Sequence, residues 1–251
     1  MTDADRDNPD AETREFLSHP ETAEAGRLIM EAVQREGDRG AMLVAGEMLS
    51  AFLGDALRKL QPGALEASDL DRLTKGVGPL ASWSSRSRVA ALVGLISPAT
   101  LKALDDLREV RNKAAHSEKA FALKTHEVRI RRAFELGPNV SSAVNAMAVE
   151  TVMQHALNRV QQSGASLVED LGHNPFEDRR AAAEILSQNA ELMAELGDQA
   201  WRVELGLGVW LLLGKMRVER DAFLAKIHPD QPMGKDASAP PSPSIERSEE
   251  K

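Results

Sequence analysis

The sequence predicts an all-α protein, and three observations carry that prediction. Ala, Leu, Glu and Arg dominate while aromatic residues make up only 4% of the chain and tyrosine is absent. Apolar residues recur with helical period in several segments. Strand-like runs are hard to find. The abundant residue types lose little on entering a helix, and 251 residues of which 42% are hydrophobic can bury a substantial core.

Residues 1–20 are acidic and lack apolar patterning, which reads as a disordered arm. A short helix is expected over 22–36, stopped near Gly37 and Gly40. Over 41–60 an apolar face runs from Met42 through Leu49 and Leu53 to Leu60, and Pro62-Gly63 ends it. On its other side lie Glu47, Ala51, Gly54 and Arg58, where small residues between two charges admit another backbone. Ser97-Pro98 starts the next clear helix, with serine as N-cap and proline at the first helical position.

A helix over 139–162 takes its core side from Val144, Met147, Val152, Met153, Ala156, Leu157 and Val160, and Ser163-Gly164 ends it. Asn174-Pro175 followed by Glu177 starts another by the same capping logic. The last helix, 197–227, carries Trp201, Leu205, Leu212 and Met216 at helical spacing. From Pro229 onward five prolines in 23 residues mark a disordered tail. The expected organisation is an arm (1–20), a helical domain (21–167), a C-terminal helical extension (168–228) and a tail (229–251).

Charge and composition exclude some classes of function. A net charge of −8 argues against tight, non-specific nucleic-acid binding over the whole surface. Between Lys102 and Arg132, however, nine Lys/Arg face five acids, a local surplus of four. With no cysteine there is no disulfide and no thiolate zinc site, which fits a reducing, cytoplasmic setting. No signal peptide is visible, and the apolar run around Leu205–Leu213 is far short of the ~20 residues that cross a bilayer. Neither a metal nor a cofactor is expected, and no membrane association.

The most informative segment is 108–117, with Arg111-Asn112-x-x-x-His116 at its centre. A guanidinium, an amide and an imidazole near one helix end are groups that gather around a phosphate or a developing negative charge. The spacing is wrong for zinc ligands, and no glycine cradle for a nucleotide is present. At about 100° per residue, Asn112 and His116 share one face, while Arg111 lies about 140° from His116. That places Arg111 between Leu104 and Leu107, in an apolar arc continued by Val110 and Ala114. An arginine there must be paired, hydrogen-bonded, or reaching out along its stem. The plain alternative is a structural arginine, with His116 a C-terminal helix residue favoured by the dipole.

Gly78-Pro79-Leu80 with Ser84-Ser85-Arg86, then Gly94-Leu95-Ile96-Ser97, then Arg111-Asn112-x-x-Ala115-His116 resemble, in that order, the mannitol repressor (MltR-like) family and the wider HEPN superfamily of helical bundles. The similarity covers residues 40–165 and departs from the pattern at Ala81 and Ser82. The resemblance implies a HEPN-like bundle with additional C-terminal helices. It also implies that an earlier helix supplies an acid to the Arg/His helix, and Glu47 is the residue best placed to pair with Arg111. Homodimers are common in such proteins.

Two functions follow as expectations. The first is a non-catalytic regulator similar to the mannitol repressor, acting in transcriptional control through a protein partner. Direct DNA reading is doubtful, because no helix-turn-helix with a basic recognition helix is visible. The alternative is a metal-independent endoribonuclease with RNA as substrate. There His116 would be general acid or base, Arg111 would stabilise charge on phosphorus, Asn112 would orient phosphate or histidine, and Glu47 would fix the arginine.

Overall fold

A computed structural model describes residues 19–60, 66–166, 168, 172–174 and 176–227. Among them are nine α-helices, one 3-10 turn and no strand, so the all-α expectation holds. In chain order these are α1 (Pro20–Arg35), α2 (Asp38–Lys59), α3 (Ala67–Thr74), α4 (Trp83–Leu92) and α5 (Pro98–His116). The 3-10 turn Leu123–His126 leads into α6 (Glu127–Ala133), then α7 (Val140–Ala165), α8 (Arg179–Gln188) and α9 (Ala190–Ile227). The arm before residue 19, Pro62-Gly63 and the tail after 227 lie outside the described residues.

Several of the helices, among them α5 and α8, start at a side-chain cap. The Ser97 hydroxyl accepts from the Thr100 N–H at 3.2 Å, with Pro98 at the first position of α5, as the sequence indicates. The carboxylate of Glu219 on α9 adds two more acceptors there, taking the Ser97 N–H at 3.1 Å and the Thr100 hydroxyl at 2.9 Å. The expectation at Asn174-Pro175 is corrected. Asn174 takes the Phe176 N–H at 2.9 Å and donates to the Gln161 carbonyl at 3.1 Å, bracing a turn on α7. Asp178 is the cap instead, accepting from Arg180 and Ala181, and α8 begins at Arg179. Ser163-Gly164 does not stop α7, which runs to Ala165, and α9 begins at Ala190, seven residues before the expected start.

One main core joins α1, α2, α4, α5, α6 and α9. Ile29, Leu49, Leu53, Leu104, Leu107, Ile130, Leu205 and Leu212 are all fully buried within it. The apolar face of α2 lies at its centre. By length and composition α2 is also apolar enough to cross a membrane, but half of that window is buried inside the bundle, where the core accounts for it. Two smaller clusters extend along α7: Ala148 and Val152 pack against Leu196 and Val203 of α9, and Leu157 packs against Ala182 and Leu186 of α8.

The 38-residue α9 is the element that holds the bundle together. It lies along α7 and α1 and touches α2. Residues 205–216 of the segment expected as an extension therefore belong to the main core. Gly208 is the point of closest approach, because a Cβ there would overlap the ring of Phe134, which is itself 0% exposed. Arg220 of α9 makes a two-pronged ion pair with Glu21 of α1, both contacts at 2.9 Å, and lies over the Phe52 ring.

The Gly78–Arg86 segment has a structural explanation. Arg86 reaches back from α4 and donates to the carbonyls of Leu80 (2.8 Å), Ser50 (2.9 Å) and Thr74 (2.9 Å), and to the Ser50 hydroxyl (3.0 Å). Its guanidinium lies against Gly54, the small residue on the outer stripe of α2. The close approach expected along that stripe is made by an arginine side chain.

Candidate functional site: a cationic cleft at the end of α5

The last turn of α5 carries Asn112 and His116 on one face, as their four-residue spacing requires. Both line a cleft of about 570 Å³, together with Lys113. Its other wall is the segment after the helix, through Lys119 and Phe121 to Thr125 and His126. That segment is fastened to the N-terminus of α2. Asp38 accepts from the Leu123 N–H at 2.9 Å and pairs with Arg202 of α9 at 3.0 Å, while Arg39 donates to the Lys119 carbonyl at 2.7 Å. The wall is therefore set by the core helices.

His126 is the functional candidate that sequence reasoning missed. It stacks on Phe121, ring centroids 5.1 Å apart at 30°. Its pKa is lowered by burial, then by the positive charges of Lys113 and Arg129. The cleft thus holds two imidazoles, His116 exposed and His126 half-buried, with an amide and two lysines, and among the described residues no carboxylate lines it. Only its distance in sequence from the Arg-Asn-x-x-x-His segment hid it.

Arg111 is elsewhere. It is half-buried, and its stem lies against α2: a Cβ on Gly46 would come within 2.8 Å of Arg111 Cγ and 2.9 Å of Trp83 Cζ3. A glycine is needed at that crossing because both neighbours are fixed, Trp83 being 9% exposed. The helical-wheel reading of Arg111 thus agrees with its place among the apolar helices. The expected pairing does not form. Glu47, next to Gly46, is exposed, and no ion pair within 4.0 Å joins it to Arg111 among the described residues. Gly46 faces the junction, and its neighbour Glu47, one helical step of about 100° on, points away from it. The four expected residues are therefore split: Asn112 and His116 in the cleft, Arg111 at the α2–α4–α5 junction, Glu47 in solvent.

The basic surplus is distributed in a telling way. Arg108 pairs with Asp105, Arg129 with Glu109, Arg131 with Glu127 and Glu204, and Arg132 with Asp106. Four of the five acids of the segment are used on these arginines; the fifth, Glu118, makes no ion pair among the described residues. Lys113 and Lys119, which line the cleft, have no acid within 4.0 Å among the described residues. No group of three or more metal-ligating side chains is found among the described residues.

No family model matches the chain, and no curated protein or solved structure matches it significantly.

Proposed function

We propose that this protein is a cytoplasmic regulator of the mannitol-repressor type, acting in transcriptional control through protein contacts and without catalysis. The observation that carries the reading is the place of Arg111. A catalytic arginine must reach the same phosphate as the histidine, and here the Arg111 stem lies against α2 at Gly46, and Arg111 is not among the residues that line the cleft holding His116. Glu47, the acid that would fix it, makes no pair with it. The resemblance to the family, the overall charge of −8 and the helical surface support protein contacts over nucleic acid. A second copy of the chain is the first partner to test, by light scattering.

The decisive experiment incubates pure protein with mixed RNA in chelator beside His116→Ala and Arg111→Ala variants. RNA is expected to stay intact in all three. In parallel, transcript profiles of a deletion strain should be restored equally by the wild-type chain and by His116→Ala. Cutting by the wild type that vanishes in both variants would sink the regulatory reading.

A second reading, a metal-independent endoribonuclease, is favoured by one observation: His126 shares a cleft with His116, so an acid and a base are available together. In that reading Lys113 takes the charge-stabilising role once expected of Arg111. Cutting abolished by His126→Ala and untouched by Arg111→Ala would select it.

A further inference from the structure

We propose that the cleft between the last turn of α5 and the Leu123–His126 turn binds a small phosphate monoester. Its volume of about 570 Å³ falls in the range of small-molecule sites, about 300–1,000 Å³. The charged side chains that line it, Lys113 and Lys119, are both cationic. Among the described residues these two have no acid within 4.0 Å, whereas Arg108, Arg129 and Arg132 nearby are paired. The unpaired Glu118 between Ser117 and Lys119 offsets the surplus only in part. A monoester carries a charge of about −1.5 to −2 at neutral pH, against −1 for a diester, so two unpaired lysines suit the monoester better.

The donors left over define the contact. The Ser117 hydroxyl is committed to the Lys119 carbonyl, and that of Thr125 to the Ala122 carbonyl at 2.7 Å. The Asn112 amide, the Lys113 ammonium and the two imidazoles remain for a ligand. One effect opposes an anion here: α5 ends at the cleft, and a helix C-terminus carries about −0.5 charge. Two full positive charges outweigh it, and Lys113 in the last turn is itself stabilised by it. Phe121, stacked on His126, gives the organic part of the ligand an apolar wall.

This site goes beyond the regulatory reading and does not depend on it. It also makes a prediction about His126. Burial first, and then Lys113 of α5 and Arg129 of α6, hold its pKa below 6.5. His116 and Lys119 are the other basic groups lining the cleft, and Glu118 and Glu127 are the acids adjacent to its lining in the chain. A bound anion must raise that pKa, and the His126 ring titration reads the shift directly, apart from the ligand's own second ionisation near pH ~6.

The test is calorimetric titration of the full chain at low salt with a hexose phosphate, a nucleoside monophosphate and inorganic phosphate. NMR titration of the His126 ring runs with and without ligand. One of the two organic monoesters is expected to bind more tightly than inorganic phosphate, and to raise the His126 pKa. Lys113→Met should weaken it about tenfold, the loss of one charge-assisted contact. Lys113 is exposed, so the variant should fold, which a thermal melt checks. Binding of inorganic phosphate alone, no binding, or binding unchanged by Lys113→Met overturns the proposal. So does a short RNA diester binding where the monoesters do not, an outcome that instead favours the ribonuclease reading.

Discussion

Gly208→Ala tests whether α9 belongs to the main core. The added Cβ would sit well under 3.0 Å from three carbons of the Phe134 ring, a separation that real Cβ atoms do not show. Phe134 is 0% exposed, so it has no solvent to swing into. Overpacking of this kind costs about 1–3 kcal/mol. Replacing glycine by alanine inside a helix returns about 1 kcal/mol. With a rigid ring as the obstacle the upper end applies, leaving a net loss of about 2 kcal/mol. For a domain of this size that lowers Tm by about 4–8 °C, read by circular dichroism on heating. The double variant with Phe134→Leu frees the space. It should be more stable than the sum of the two single losses by about 1 kcal/mol, since residues in contact do not add. A Tm for Gly208→Ala at or above wild type would refute the reasoning, and with it the contact between α9 and Phe134.

Three further outcomes are expected. Arg86→Lys should destabilise by about 2–3 kcal/mol in a urea melt, because a single ammonium cannot serve the Leu80, Ser50 and Thr74 carbonyls that three guanidinium nitrogens reach. Ser97→Ala should cost about 1 kcal/mol by the same measurement, as the N-cap of α5 is lost while Glu219 still holds the Ser97 N–H. The hydrogen bond from Arg220 lowers the Glu21 pKa below 4.5. The stability it contributes is present above that value and is lost as pH falls through the folded-state pKa. Glu21→Gln should therefore lower Tm at neutral pH, and the gap to wild type should close on acidification below 4.5.

The sequence showed most clearly what is local. The all-α class, the Ser97-Pro98 start of α5 and the helix face shared by Asn112 and His116 follow from propensity, capping and a fixed rotation per residue. The wheel also placed Arg111 among apolar residues, where its stem is found. Contacts between distant elements were less legible. Whether Glu47 could meet Arg111 depended on which residue of α2 faces the crossing, and Gly46 does. His126 lies on a separate turn whose position is set by Asp38 and Arg39, some 85 residues earlier, so no spacing rule could bring it to His116. Asn174 and Asp178 are both good caps, and only the bond from Asn174 to the Gln161 carbonyl explains why the first one braces a turn.

The late position of α9 shapes how the protein must be made. Its stretch from Leu205 to Met216 closes a core whose wall α5 leaves the ribosome about a hundred residues earlier, and α2 earlier still. At about 5–20 residues per second that interval lasts roughly 5–20 s. Throughout it the nascent chain shows Leu49, Leu53 and Leu107 without their final cover. Stalled translation in this window should yield a sticky, chaperone-dependent fragment, and slow codons ahead of Trp201 would prolong its exposure.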